Sequence, residues 1–166
     1  MIISATVIKF GDNIDTDVML PGKYLVLTDP IELAKHAMEG ISKDFVSKSR
    51  NGSIIVAGKN FGQGSSREQA PLALKAAGVK CILAESFARI FYRNAINIGL
   101  PVLECEGISS KVEEGDEITV NLEQGEIRSI SKGIAIKATP IPEFLLAILK
   151  DGGIIEHLQR KKDSRP

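Results

Sequence analysis

Tryptophan is absent from this chain of 166 residues, and only two cysteines and two histidines occur. So few soft ligands cannot by themselves enclose a metal cluster. Cys81 and Cys105 lie in or beside the apolar runs Val79 to Ala84 and Leu100 to Cys105, and read as buried strand residues rather than a redox pair. His36 and His157 fall on separate expected helices and form no ligand pair. An excess charge is also missing. Twenty-one basic residues balance 21 acidic ones, so no global field favours nucleic acid or a membrane surface. No apolar run is long enough for a membrane span and no secretory leader is evident, so a cytoplasmic protein is expected. Internal repeats, low-complexity segments and a clear linker are lacking. With 43% hydrophobic and 25% charged residues, one domain over 1–166 is the economical expectation. The only charge run, Arg160 to Arg165, reads as a solvated end that frays from about residue 159.

What is present centres on Asn60-Phe61-Gly62-Gln63-Gly64-Ser65-Ser66-Arg67-Glu68-Gln69. An apolar run, Ser53 to Ala57, precedes it and a stretch of helix formers, Ala70 to Ala77, follows, with Gly78 as a stop. Strand, glycine-rich loop and helix N-terminus suit an anion, because unpaired N–H groups and the positive dipole end point outward. Gly62 and Gly64 allow positive φ and close approach to a ligand. Ser65 and Ser66 supply hydroxyls, and Arg67 a planar cation. The structural alternative is a capping box, which both Ser65-Glu68 and Ser66-Gln69 fit. A cap accounts for one serine, not for two glycines, two serines and an arginine together. No Gly-Lys-Ser/Thr follows, so this is not a Walker loop, and the third glycine of a dinucleotide fingerprint is missing.

In chain order, Ile2 to Phe10 reads as a strand and Gly11-Asp12-Asn13 as a turn. Asp15-Thr16-Asp17 reads as a loop with Asx turns; oxygen ligands are too few for a calcium loop. Asp29 or Thr28 caps a helix that starts at Pro30 and runs to about Met38. Gly40 to Asn51 is expected to be a mobile connection with one helical turn. Strands at Ile54–Ala57, Val79–Ala84 and Pro101–Leu103 alternate with helices at Arg67–Ala77 and about Phe87–Ile96. That pattern implies an α/β fold with right-handed parallel crossovers and a ligand beyond the strands' carboxyl ends. On the second helix Phe87, Ile90, Phe91 and Asn94 are expected on one face, and Arg89, Arg93 and Asn97 on another, which faces solvent, an anion or a partner. Asp116–Leu122 and Glu126–Ile130 flank a hairpin turn, Ile134–Ala138 adds a strand, and Pro142 opens a helix from Glu143 to Lys150.

Three motifs, in order, carry a resemblance over nearly the whole chain. They are Gly11 to Asp17, Gly62 to Glu68, and Ser86-Phe87-Ala88-Arg89-Ile90-Phe91-Tyr92-Arg93-Asn94. Together they resemble the small subunits of 3-isopropylmalate dehydratase, the swivelling β/β/α domain of the aconitase superfamily. The resemblance implies a two-chain hydro-lyase. A partner large subunit carries a 4Fe-4S cluster, none of it on this chain, whose open iron acts as Lewis acid on a small hydroxy-dicarboxylate substrate. It implies that Ser65 is the base that takes the carbon-bound proton. Ser66 and Arg67, with the loop glycine Gly64, bind a substrate carboxylate, and Asp17 orients neighbouring polar groups. No catalytic role is carried onto Arg89 or Arg93. Lowering even a group of pKa about 10 to about 7 takes about 4 kcal/mol, and one exposed helix N-terminus supplies about 0.3–1. The isolated chain is therefore expected to be inactive.

Within the family, aconitase and homoaconitase relatives hold a γ-carboxylate with an arginine in the loop that here reads Tyr24-Leu25-Val26-Leu27-Thr28. No arginine lies between Pro21 and Pro30, so Val26 or Leu27 suits an isopropyl group, and a buried γ-carboxylate is left unpaired. This favours 3-isopropylmalate and a place in leucine biosynthesis, with citramalate as a smaller substrate. A homoaconitase or dual-specificity small subunit stays open, as does a non-catalytic anion-binding module of another class. The loop is expected to be mobile without the large subunit, and self-association of the isolated chain is open.

Overall fold

The structure, a computed structural model, describes residues 1–166. One seven-stranded mixed sheet organises the chain, in the order β4-β3-β2-β1-β5-β6-β7. The parallel half comprises β1 (Ile2–Lys9), β2 (Ser53–Ala57), β3 (Val79–Ala84) and β4 (Val102–Glu104). All five residues of β2 are buried, as expected of a continuous apolar strand covered on both faces. The antiparallel half comprises β5 (Glu117–Asn121), β6 (Glu126–Ser129) and β7 (Ile134–Lys137), joined to the rest where β5 pairs with β1. Strand β5 alternates, burying Ile118 and Val120. The sheet curls until its two ends meet: just beyond β7, the Thr139 N–H donates to the Glu104 carbonyl at 3.0 Å.

Between the strands run α1 (Thr16–Met19), α2 (Pro30–Ala34), α3 (Phe45–Ser49), α4 (Gln69–Ala76), α5 (Arg89–Asn97) and α6 (Ile108–Lys111). Helices α7 (Glu143–Lys150) and α8 (Ile154–Asp163) close the chain. The strand positions, the hairpin and α7, with Pro142 at its N-cap, follow the sequence pattern within a residue or two. Helix α4 packs on α1, α2 and α5, so the glycine loop ahead of it is anchored from several sides.

Three expectations need correction. Helix α2 has the Asp29 cap, whose carboxylate accepts the Ile31 N–H at 3.0 Å, but ends at Ala34 rather than Met38. Beyond it the Met38 and Gly40 N–H groups donate to the carbonyls of Met19 and Val18 instead of continuing a helix, and His36 lies in that turn. Second, the connection 40–51 is anchored, not loose: Phe45 is fully buried against Phe10, ring centroids 5.9 Å apart. Third, the basic end is helical through Asp163. The Asp151 carboxylate receives His157 Nδ1 at 2.7 Å and Arg160 Nη1 at 2.6 Å, which ties α8 to the end of α7. On α5, Phe91, Ala95 and Ile96 are buried and Ile90 is 53% exposed.

Candidate active site

The loops after β1, β2 and β3 meet beyond the carboxyl ends of the parallel strands, where the rule for such sheets puts a ligand. They are stitched together by backbone bonds that extend the sheet. The Thr16 N–H donates to Gln63 at 2.9 Å and the Gly62 N–H to Ile14 at 2.8 Å. The Phe61 N–H donates to Ser86 at 3.1 Å and the Ala88 N–H to Phe61 at 2.9 Å. Beneath them Phe61, Phe87 and Phe91 form an aromatic floor, with Phe61 edge-on to both others at 6.0 and 5.3 Å. Side chains mounted here sit on a rigid base rather than on free loops.

Two glycines are required by that packing. At Gly62 φ is +88°, and a Cβ would lie 2.2 Å from Phe91 Cγ. At Gly64 φ is +100°, and a Cβ would lie 3.3 Å from Thr16 Oγ1. Both fall in the region that L side chains avoid.

A pocket of about 200 Å³ is lined by Thr16, Gly62, Gly64, Ser65, Ser66, Arg67, Ala88, Arg89, Ile90, Phe91 and Asn94. The Thr16 hydroxyl, buried, donates to the Ser65 carbonyl at 2.9 Å and lies 3.5 Å from Ser65 Oγ. Arg67 Nη1 donates to Asp17 Oδ1 at 2.9 Å and to the Leu20 carbonyl at 3.2 Å. Its side chain is 20% exposed and that of Asp17 67%. The same Asp17 oxygen accepts the Gly22 N–H at 3.2 Å. The Arg67 hydrogen bond first, and the Gly22 N–H second, hold the Asp17 carboxyl below the usual carboxylate range. Asp15 starts this arrangement by capping α1, accepting from the Asp17 and Val18 N–H groups at 2.8 and 3.0 Å.

Of the sequence-derived candidates, Gly64, Ser65, Ser66 and Arg67 line the pocket, and Asp17 stands behind Arg67. The loop Tyr24-Leu25-Val26-Leu27-Thr28 does not line it. Part of that loop is clipped to the turn after α2. Tyr24 stacks on His36 at 3.6 Å, and its hydroxyl donates to Glu39 at 3.0 Å. Val26 is 83% exposed.

Neither serine caps α4. That helix begins at Gln69, with Glu68 at the N-cap and no side-chain cap bond, because Arg67 and Ala70 first form a tighter turn. The helix end that faces the pocket is α5, whose residues Ala88, Arg89 and Ile90 line it and which no side chain caps. Arg89, to which the sequence motif lent no role, therefore joins Arg67 as a second pocket cation. The i, i+4 arginine spacing on this helix was the available signal, but it could not say which arginine faced the site.

No group of three or more His, Cys, Asp or Glu side chains is placed to hold a metal. Cys81 and Cys105 are both buried, and burial pushes both thiols up, away from the thiolate that a cluster needs. This chain's residues do not fit an iron–sulfur cluster. No helix is long and apolar enough to cross a membrane.

Residues 33–107 match the family model of the aconitase C-terminal domain. Over 96% of its length the chain is 57% identical to the 3-isopropylmalate dehydratase small subunit of Halothermothrix orenii, covering 96% of that protein. It is 58% identical, over 96% of its own length and 95% of the other, to the isopropylmalate/citramalate isomerase small subunit of Methanocaldococcus jannaschii. A crystal structure of 3-isopropylmalate dehydratase from M. jannaschii superposes with a TM-score of 0.92, at 46% identity, over 98% of this chain and 96% of that one. Aconitase X of Thermococcus kodakaraensis shares the fold, with a TM-score of 0.54 at 19% identity over 78% of this chain and 91% of that one. Matched nearly end to end in sequence and in fold, the chain belongs to the family of 3-isopropylmalate dehydratase small subunits.

Proposed function

We propose that this chain is the small subunit of a hydro-lyase that interconverts 2- and 3-isopropylmalate, acting with a large subunit. The observation that carries the reading is the pocket that joins Ser65, Ser66 and Arg67, with Thr16 and Asp17 bracing them, on a chain so similar to named small subunits. Ser65 Oγ takes the carbon-bound proton as the hydroxyl leaves, and returns a proton when water adds back the other way round. Arg67 and Ser66 hold a substrate carboxylate. Asp17 fixes Arg67 by occupying Nη1, which keeps the guanidinium plane in place for a bidentate contact. In this reading the large subunit carries the 4Fe-4S cluster, which would supply the Lewis acid; the name small subunit on the relatives supports such a partner.

Ser65 lies on an exposed loop in the free chain, ahead of α4 rather than at its first turn. An exposed helix end supplies only about 0.3–1 kcal/mol of the several needed to ionise it; the rest is to come from the pocket arginines and from closure against the large subunit, which dries the site. The same closure has to bring loop 24–28 over the pocket. The exposure of Val26, an apolar side chain with no packing partner, supports a contact made only in the complex. Without an arginine, that loop favours an isopropyl or methyl group over a γ-carboxylate. The isomerase of M. jannaschii, named for isopropylmalate and citramalate, supports the smaller substrate as well.

The test is anaerobic reconstitution with the cognate large subunit, assayed on 3-isopropylmalate, citraconate and cis-homoaconitate, with Ser65→Ala beside the wild type. Activity on the first two, lowered by about 100- to 10,000-fold in Ser65→Ala, is expected. Strong turnover of cis-homoaconitate would refute the loop assignment. An unaffected Ser65→Ala enzyme would refute the base.

A further inference from the structure

A second cleft, of about 370 Å³, lies on the other side of Arg89, between α5 and the segment that follows β7. Phe87, Tyr92, Pro140 and Pro142 form apolar walls. Arg89, Glu104 and Thr139 are its polar groups. Its volume lies in the range of small-molecule sites, about 300–1,000 Å³. Two of its lining residues are tied together where the Thr139 N–H donates to the Glu104 carbonyl at 3.0 Å, the closure of the curled sheet.

The charges are what single the cleft out. Arg89 and Glu104 face one cavity, yet neither takes part in any ion pair of the chain, with each other or with a third group. A cation and an anion, neither of them in an ion pair, that line one apolar-walled cleft match a ligand that bears both opposite charges and an apolar group. A dicarboxylate would face Glu104, and an amine alone would face Arg89. Glu104 also stands near the Tyr92 hydroxyl, whose proton is retained more firmly through burial and the neighbouring carboxylate.

We propose that this cleft binds a small zwitterion, an α-amino acid with an apolar side chain. Arg89 takes its carboxylate, Glu104 its ammonium group, and the aromatic and proline walls its side chain. Arg89 also lines the catalytic pocket, so an occupant here competes for the guanidinium with a carboxylate there. The proposal does not depend on the hydro-lyase reading, because binding is measured on this chain without turnover.

The experiment is an amide NMR titration of the full chain with leucine, valine and phenylalanine. Isovalerate, isoamylamine and N-acetyl-leucine serve as probes that lack one of the two charges. Saturable shifts at Tyr92, Glu104 and Thr139 are expected with the amino acids, and binding at least about tenfold weaker with each single-charge probe. Arg89→Ala and Glu104→Gln should each weaken leucine binding by about tenfold or more, with the spectrum outside the cleft unchanged. Lys132→Ala, remote from the cleft, should bind as wild type does. Absence of saturable shifts with any amino acid would overturn the proposal. So would equal binding of N-acetyl-leucine and leucine, a reading that needs no variant to fold.

Discussion

Replacing Gly64 by alanine asks whether the backbone of the serine loop, and not its side chains alone, sets the rate. The residue sits at φ +100°, where an L side chain is strained, at a cost of about 1–2 kcal/mol. For a chain of this size that lowers Tm by about 2–8 °C, at roughly 2–4 °C per kcal/mol. The added Cβ would stand 3.3 Å from Thr16 Oγ1 and 3.6 Å from Asp15 Cβ, so Thr16 has to give way slightly. Its hydroxyl is bonded to the Ser65 carbonyl at 2.9 Å, and the displacement therefore passes to the proposed base. A misplacement of about 1 Å costs on the order of 100-fold in rate; a shift of roughly half that size should cost about tenfold in kcat, with KM changing less. The assay is enoate formation by the anaerobically reconstituted enzyme, with thermal unfolding of the free small subunit measured in parallel. Wild-type kcat and wild-type Tm together would refute the reasoning. A lowered Tm with unchanged kcat would show that the loop glycine serves stability and not positioning.

Other perturbations separate the remaining parts of the site. Arg67→Lys keeps the charge but not the fork that serves Asp17, Leu20 and a carboxylate together; kcat/KM should fall by about 10- to 100-fold, and an unchanged value would remove Arg67 from substrate binding. Val26→Arg should weaken isopropylmalate turnover and admit cis-homoaconitate in the reconstituted enzyme, and unchanged specificity would count against the loop. The acid limb of stability gives a further check. Arg67 holds the folded Asp17 carboxyl below its unfolded value, so its stabilising contribution is present above the ordinary carboxylate range and is lost as pH falls through the depressed value. Thermal unfolding of wild type and Asp17→Asn should therefore differ near neutrality and converge in acid. Asp44, Asp116 and Asp151, also depressed by their own partners, contribute equally to both curves. A constant gap down to strongly acid pH would contradict the assignment.

Some of this molecule was legible before folding because the signal was local. Ile54 to Ala57 and Val79 to Ala84 read as strands, since a short apolar run, broken in the second only by the exposed Lys80, suits a strand covered on both faces. Pro142 and the residues after it read as a helix because proline fits a helix start. Asp29 was readable as a cap for the same kind of reason. The misses were decisions taken at a distance. Helix α2 stops early as the His36 and Ala37 N–H groups tighten onto carbonyls three residues back, and those of Met38 and Gly40 then go to Met19 and Val18. The basic end is helical because Asp151 collects His157 and Arg160. The two serines fit a capping box in sequence, yet an extra turn at Arg67 moves the helix start past them.

The sequence by itself determined the inventory and its order: a glycine-rich loop with two hydroxyls and a guanidinium, an aspartate segment before it, an arginine helix after it, and too few thiols for a cluster. Apart from the thiol count, which is a property of the whole chain, each of these depends on residues within one short stretch. Tertiary structure alone decided which of them meet. Asp17 reaches Arg67 across 50 residues because β1 and β2 are neighbours in the sheet and their loops extend the pairing. Arg89 enters the pocket, and the free end of α5 replaces that of α4 there, because β3 lies next to β2 and delivers α5 to the same edge. Local pattern encodes what each segment can do; strand order, settled by burying 43 apolar residues in a single core, encodes what it does it with.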